Sequence, residues 1–229
     1  YNFISDVAER PVFKYRKLCI EEGKSHNIEN LLQLIYWMPK ARFNALTFPI
    51  DYHGSFRVKW DNWREELTPE LKKRGIIIEG GGHGYQNFLN AKMEGGILFD
   101  KYQEWFGMGN NGKRSTNQHV VFCTSNHDAV EYLNNNLLSY LMSHSEIDIF
   151  DFWPPDNERW CECTSCVTFG CPNERHAMLV NKTVQFLRKR YPKIKIVLGD
   201  EEAAGQVAKE IQMLMRKNRD RGIFIKKFV

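Results

Sequence analysis

Strand-like and helix-like segments alternate along this chain, and that alternation restricts its fold more than any other feature. Short apolar or β-branched runs predict strands at 14–21, 43–50, 76–79, 147–153 and 195–198, while 119–124 suits either a strand or an extended lead-in. Helical spacing predicts helices at about 28–38, 126–143 and 173–191, and another that begins at Thr68-Pro69 and ends at Gly75. Strands that alternate with helices predict a parallel sheet, so the fold class is α/β.

We expect a (β/α)8 TIM-barrel-like arrangement rather than a doubly wound sheet, because polar residues recur after successive strands. Only five or six repeats are visible where eight are needed, so the barrel is predicted to be incomplete or atypical. The expected organisation is one barrel-type domain over 1–229. It contains a Cys-rich loop at 157–172 and a terminal helix within 200–229, whose placement the pattern leaves open.

Bulk properties exclude some classes of function. The net charge of +4 is dispersed, and the short basic clusters suit solvated helix ends better than a nucleic-acid surface. No apolar stretch approaches the roughly 20 residues that cross a bilayer, so we expect no membrane span. Residues 1–10 lack the pattern of a signal peptide. Because a leader could already have been removed, this leaves the location open, and we expect a periplasmic or secreted protein.

Polar and aromatic side chains follow the predicted strands, where the active sites of parallel α/β folds lie. Converging carboxylates and imidazoles suit acid/base hydrolysis, in which one carboxyl protonates the leaving group. Asp156, behind Pro154-Pro155, is the leading catalytic candidate and Glu158 the second. Aromatic faces suit sugar rings, so carbohydrate is the expected substrate. The predicted substrate-binding residues are Arg16, His53, Glu79, His83, Asn126 and Trp153.

Purely structural roles stay open for several of these side chains. Arg16 could pair structurally with a carboxylate, and His53 and His83 could be ordinary loop residues. Glu79 could satisfy backbone amides of the glycine turn that follows it. Asp156 could be a turn aspartate, although the stiff double proline would also aim a catalytic side chain.

Four cysteines lie within eleven positions as C-x-C-x2-C-x4-C: Cys161, Cys163, Cys166 and Cys171. Thiolates this close in sequence can surround one tetrahedral zinc ion, and a site without an open position is structural. Two disulfides are the alternative in an exported protein. We favour zinc, and we expect Cys19 and Cys123 to be free core thiols.

With these residues in view, the chain resembles the uncharacterised family known as domain of unknown function 4838 and, more distantly, the catalytic barrels of glycoside hydrolase family 20, the β-hexosaminidases. Tyr15-Arg16-Lys17-Leu18 resembles the first-strand motif whose arginine holds the non-reducing sugar. The second- and third-strand motifs correspond to 40–44 and to Arg74-Gly75-Ile76 with 79–83. The segment from Trp160 to Cys166 is typical of the uncharacterised family.

In hexosaminidases the fourth-strand pair is Asp-Glu, in which the aspartate orients the substrate's acetamido group and the glutamate is the general acid. The resemblance places Asp156-Asn157 at that pair. Because an amide cannot donate a proton as a carboxylic acid does, the acid would be Asp156, Glu158 or a residue elsewhere. The resemblance therefore implies a sugar site more than it implies the same mechanism.

The leading hypothesis is a glycoside hydrolase-like barrel that acts on a complex glycan by carboxylate acid/base catalysis. The alternative is a non-catalytic carbohydrate-binding barrel with a structural zinc loop, which Asn157 favours. A third reading, a metal-dependent hydrolase with His53, His83 and Asp156 as ligands, has little support from the histidine spacing.

Overall fold

The computed structural model of the chain describes residues 11–20, 27–49, 55–83, 87–117, 119–153 and 159–197. The strands are β1 (Lys17–Cys19), β2 (Ala45–Pro49), β3 (Ile77–Gly82), β4 (Ile149–Phe152) and β5 (Lys195–Val197). The helices are α1 (Ile28–Trp37), α2 (Ser55–Lys73), α3 (Leu98–Lys101), α4 (His127–Ser143), α5 (Thr164–Phe169) and α6 (Pro172–Arg190), with short 3-10 turns at Glu94–Gly96 and Gln103–Trp105.

The five strands form one sheet in the order β1-β2-β3-β4-β5, and every neighbouring pair is parallel. The order never reverses, in contrast to a doubly wound sheet, where ligands bind at the reversal. Right-handed crossovers that always step in one direction place their helices on one face of the sheet. The α/β class and the parallel sheet are therefore confirmed.

One face of the sheet is apolar and packs into the main core. Register places Leu18, Leu46 and Ile78 in one row across β1, β2 and β3, and Phe48 and Phe150 lie in the next row on either side of Gly80. These side chains join a core cluster that also contains buried residues of α1, α2, α4 and α6. Alternation along each strand then directs the intervening residues to the opposite face.

The opposite face, called here the polar face, carries Lys17, Thr47, Glu79, Asp151 and Lys195. Its two edges approach each other, because Lys195 Nζ on β5 lies 3.5 Å from the hydroxyl of Tyr15, which precedes β1. Four strand spacings of about 4.8 Å separate β1 from β5 along the sheet, and side chains stand roughly perpendicular to a flat sheet. Contact between the edges therefore requires the sheet to curl around the polar face.

The helix expected to begin at Thr68-Pro69 begins much earlier, and that prediction is wrong. α2 runs from Ser55 to Lys73 with Pro69 inside it. Leu67 and Leu71, on either side of the proline, are fully buried in the core. Proline in a helix interior removes a hydrogen bond and costs about 3 kcal/mol. The free energy gained by burying the two leucines offsets this cost. The predicted end at Gly75 is confirmed by its φ of 64°.

The other predicted elements agree with the structure to within a few residues, with one local difference. Of the two alternatives for 119–124 the lead-in agrees with the structure, since these residues form no named strand and Val120 makes an isolated bridge with Arg159. The Cys-rich loop contains an unpredicted helix, α5. The terminal helix predicted within 200–229 lies outside the described residues. None of the described helices has the length and apolar character needed to cross a membrane.

The glycine run 80–82 belongs to β3 rather than to a turn after it, which also corrects the role suggested for Glu79. Gly81 has a φ of 126° and is paired with Asp151 across β3 and β4. A Cβ on Gly81 would lie 2.0 Å from the backbone oxygen of Asp151. The missing side chain therefore permits the close approach of these two strands.

We expect Gly81→Ala to destabilise the protein by about 3 kcal/mol or more, because it adds a backbone clash to an unfavourable φ. Gly112→Ala is the matched control, since Gly112 has a φ of 71° and open space around its Cβ position. It should cost only about 1 kcal/mol. Urea unfolding measures both, and equal losses in the two variants would contradict the close packing of β3 on β4.

Candidate functional site

Two loops leave the carboxyl ends of β3 and β4 and are joined to each other. The first connects β3 to α4, and the second connects β4 to α5. Val121 N donates to Arg159 O at 2.8 Å, and Glu162 N donates to Met108 O at 2.8 Å. Because both loops start from adjacent strands at one edge of the sheet, these bonds hold them together over that edge.

The thiol cluster, formed by Cys123, Cys161, Cys163 and Cys166, lies where these loops meet. All four side chains are buried, and their sulfur atoms lie within 4.8 Å of one another. Cys123 Sγ lies 3.6 Å from Cys163 Sγ and 3.7 Å from Cys166 Sγ. Four sulfurs bound tetrahedrally at about 2.3 Å from zinc would be about 3.8 Å apart. The cluster is therefore close enough to bind a metal ion.

Donor groups contact the cluster. Met108 N donates to Cys161 Sγ at 3.3 Å, and the Arg114 guanidinium lies 3.4 Å from the same atom. Contacts among the thiols lower the pKa of Cys166 below its ordinary value and raise the pKa of Cys161 above it. Arg175, on α6, donates to the carbonyl oxygen of Cys161 at 2.8 Å and so connects the loop after β4 to α6.

The structure replaces one predicted ligand by another. Cys171 is exposed and lies outside the cluster at the N-cap of α6, where its N–H donates to the Glu174 carboxylate at 2.8 Å. Cys123, expected to be a free core thiol, takes the fourth position. Cys19 is also not a core residue, since it is exposed. All six cysteines are described, and none of them forms a disulfide.

A local sequence pattern could not have found Cys123. It lies 38 residues before Cys161, in a separate loop, and the pairing of 119–121 with Arg159 brings that loop to the other thiols. A run such as HVVFCT carries no ligand spacing, whereas C-x-C-x2-C does.

His83 and Trp153 are brought together at the carboxyl edge, directly after β3 and β4. Their ring centroids are 4.9 Å apart in a T-shaped arrangement. The N–H of Trp153 donates to Gly82 O at 3.2 Å, which extends the pairing of the two strands. These predicted substrate-binding residues thus lie side by side at the edge where sites occur in parallel folds.

Glu79 lies on the polar face, where it is almost fully buried. Lys17 Nζ lies 2.9 Å from its Oε1, and the Thr47 hydroxyl donates to the same oxygen at 3.0 Å. Burial would raise the pKa of Glu79, but the contacts with Asp151 and Lys17 outweigh it and hold that pKa below its usual range. At neutral pH this carboxylate is ionised.

Asp151, one row nearer the carboxyl edge, is completely buried. Burial and the neighbouring Glu79 carboxylate raise the pKa of Asp151 to about 9. Asp151 is not among the predicted catalytic or substrate-binding residues. Its position in an otherwise apolar strand, I-F-D-F, was the available signal.

Arg16 lies at the other edge of the sheet, which corrects the expectation that it faces the carboxyl edge. It precedes β1, and its side chain donates to the carbonyl oxygens of Arg42 at 2.6 Å and Phe13 at 2.8 Å. Its backbone N–H donates to Asn44 Oδ1 at 2.7 Å. Since the strands are parallel, these contacts hold the guanidinium at their amino ends, away from His83 and Trp153.

Asn126, predicted to bind substrate, is the N-cap of α4. Its Oδ1 accepts a hydrogen bond from Ala129 N at 2.9 Å. It also lines an open polar pocket beside the thiol cluster, together with Glu104, Arg114 and Ser125. Three other predicted site residues, His53, Asp156 and Glu158, lie outside the described residues.

Comparison with known proteins gives a family and a fold. The family model described as "Domain of unknown function (DUF4838)" matches residues 5–199. A search among curated proteins found no matching sequence.

Two solved structures share the fold at low sequence identity. An α-galactosidase from Lactobacillus brevis is 12% identical with a TM-score of 0.50, and the match covers 75% of this chain and 24% of that one. An O-GlcNAc hydrolase mutant from Thermobaculum terrenum is 12% identical with a TM-score of 0.52, covering 81% of this chain and 35% of that one. The chain thus spans about a quarter to a third of these proteins.

Proposed function

The chain belongs to the DUF4838 family, and from that premise we propose that it forms part of a glycoside hydrolase-like (β/α)8 barrel that acts on a complex glycan. The observation that carries the proposal is the His83–Trp153 pair at the carboxyl edge of a curled parallel sheet. The fold shared with two glycoside hydrolases supports it. The five strands would be the first five of the barrel, within one barrel-type domain over 1–229.

Asp156 and Glu158 are the proposed acid/base residues. They follow Trp153 by three and five positions, so they leave the same strand end as the proposed sugar-stacking ring. His83 and Trp153 would line the sugar site, since an aromatic face packs on the apolar face of a pyranose. We leave Arg16 out of the proposed sugar site, because its guanidinium donates to backbone carbonyl groups at the amino edge.

Asp156→Asn should lower turnover at least about 100-fold, because an amide can neither donate nor accept the catalytic proton. A panel of aryl glycosides that includes α-galactosides and N-acetylglucosaminides measures this, since the two structural neighbours are named for those sugars. Asp148→Asn is the matched control, because Asp148 accepts from Ile78 N at the amino edge. It should keep the wild-type rate.

A fully active Asp156→Asn variant would remove Asp156 from the mechanism. Calorimetric binding of glycans without turnover would favour the second candidate, a non-catalytic carbohydrate-binding barrel. Asn157, where the resembled hexosaminidases carry the acid, is the observation in that candidate's favour.

We further propose that the thiol cluster binds one structural zinc ion, with Cys123 as the fourth ligand in place of Cys171. The donors are four sulfurs at the spacing that tetrahedral zinc requires, and none of them is exposed. Bound zinc would contribute folding free energy and join the β3–α4 loop to the segment after β4. Export to the periplasm or outside the cell remains part of the proposal.

Cys123→Ser should lose the zinc and several degrees of melting temperature, whereas Cys171→Ser should keep both, because only Cys123 lies in the cluster. Metal analysis of the purified proteins, together with thermal unfolding, measures the difference. Zinc loss in Cys171→Ser alone would support the ligand set predicted from spacing. Tightly bound metal that survives Cys123→Ser would instead revive the metal-dependent hydrolase.

A further inference from the structure

Two buried carboxyl groups on the polar face contact a single cation. Lys17 Nζ lies 2.9 Å from Glu79 Oε1 and 3.7 Å from Asp151 Oδ2. Glu79 is 3% exposed and Asp151 is 0% exposed, so water screens neither of them. If both carboxyls were ionised, the group would carry one uncompensated negative charge.

The other polar groups of this face do not supply a second cation within the described part of the chain. Thr47, on β2, donates its hydroxyl to Glu79. Lys195, on β5, directs its ammonium to the Tyr15 hydroxyl. The remaining titratable groups near the cluster are Cys19, on β1, and His83, whose ring lies edge-on against Trp153.

An uncompensated buried charge costs several kcal/mol, and a proton is the smallest group that removes it. Glu79 already accepts hydrogen bonds from Lys17 and Thr47, which favour its ionised form. Neither oxygen of Asp151 accepts a hydrogen bond of ordinary length from a described donor. Its electrostatic contacts are with the Glu79 carboxylate, Trp153 and, at 3.7 Å, Lys17. The proton therefore belongs on Asp151.

We infer that Glu79, Asp151 and Lys17 form a proton-binding site on the polar face, in which Asp151 is a neutral carboxylic acid beside the ionised Glu79. Asp151 is a positioning residue, not a catalytic one, because it is sealed from any substrate. It lies on β4 two residues before Trp153, and opposite Gly81 on β3. Ionised Asp151 would repel Glu79 across β3 and β4, whose carboxyl ends hold the His83–Trp153 pair.

The inference stands apart from the proposed glycosidase function, because it concerns stability and protonation alone. Folding raises the pKa of the Asp151 carboxyl from 3.8 to about 9. The protonated group therefore makes its full contribution to the stability of the folded state below pH 3.8. That contribution is lost progressively as the pH rises towards 9. Wild-type stability should therefore fall between pH 6 and pH 9.5 through this group.

Asp151→Asn retains the shape of the neutral acid and cannot ionise. We expect its melting temperature, relative to wild type, to rise by about 3 °C or more between pH 6 and pH 9.5. Asp148→Asn, a matched change at the exposed amino edge of the same strand, should show no such rise. An Asp151→Asn variant with the same alkaline loss as wild type would overturn the inference.

Infrared spectroscopy of the wild-type protein tests protonation even if Asp151→Asn does not fold. The carbonyl band of a protonated carboxyl should be present at pH 7 and should disappear above about pH 9. Its absence at pH 7 would overturn the inference. Its presence in wild type and absence from folded Asp151→Asn would assign the proton to Asp151.

Discussion

The close approach of β3 to β4 at Gly81 and Asp151 is the contact on which the other features of this protein depend. It needs a glycine, because any Cβ at position 81 would meet the backbone of the neighbouring strand. From these two strands leave the loops that contain His83 and Trp153, and the same strands carry Glu79 and Asp151. The pairing of β3 with β4 thus positions both the His83–Trp153 pair at the carboxyl edge and the two carboxyl groups on the polar face.

The thiol cluster lies between two long loops with little secondary structure, the β3–α4 loop and the β4–α5 loop, and contributes to their order. Two backbone hydrogen bonds, one from Val121 to Arg159 and one from Glu162 to Met108, fix the register of the two loops. The four thiols then converge where the loops cross, and Arg175 holds the same segment from α6. The loop over the carboxyl edge is therefore shaped by contacts distant in sequence.

The polar face and the carboxyl edge have separate roles in this arrangement. The carboxyl groups on the polar face are almost closed to solvent and contact Lys17, so they hold the strands rather than meet a ligand. At the edge, partly exposed aromatic rings lie beside the start of the segment that contains Asp156. The fold shared with two glycoside hydrolases concerns architecture, and the chemistry depends on side chains at that edge.

Sequence periodicity determined the parallel α/β class and the approximate bounds of most elements, because burial of one helix or strand face leaves a local pattern. The local spacing of the cysteines also identified three of the four clustered thiols. The local pattern did not predict Pro69 inside α2 or the glycines inside β3, because core packing at these positions overrides local propensity. Only the tertiary structure decided that Cys123 replaces Cys171, that Arg16 lies at the amino edge, and that Asp151 lies beside Glu79. Each depends on strand register and loop pairing between residues far apart in the chain, which no local pattern encodes.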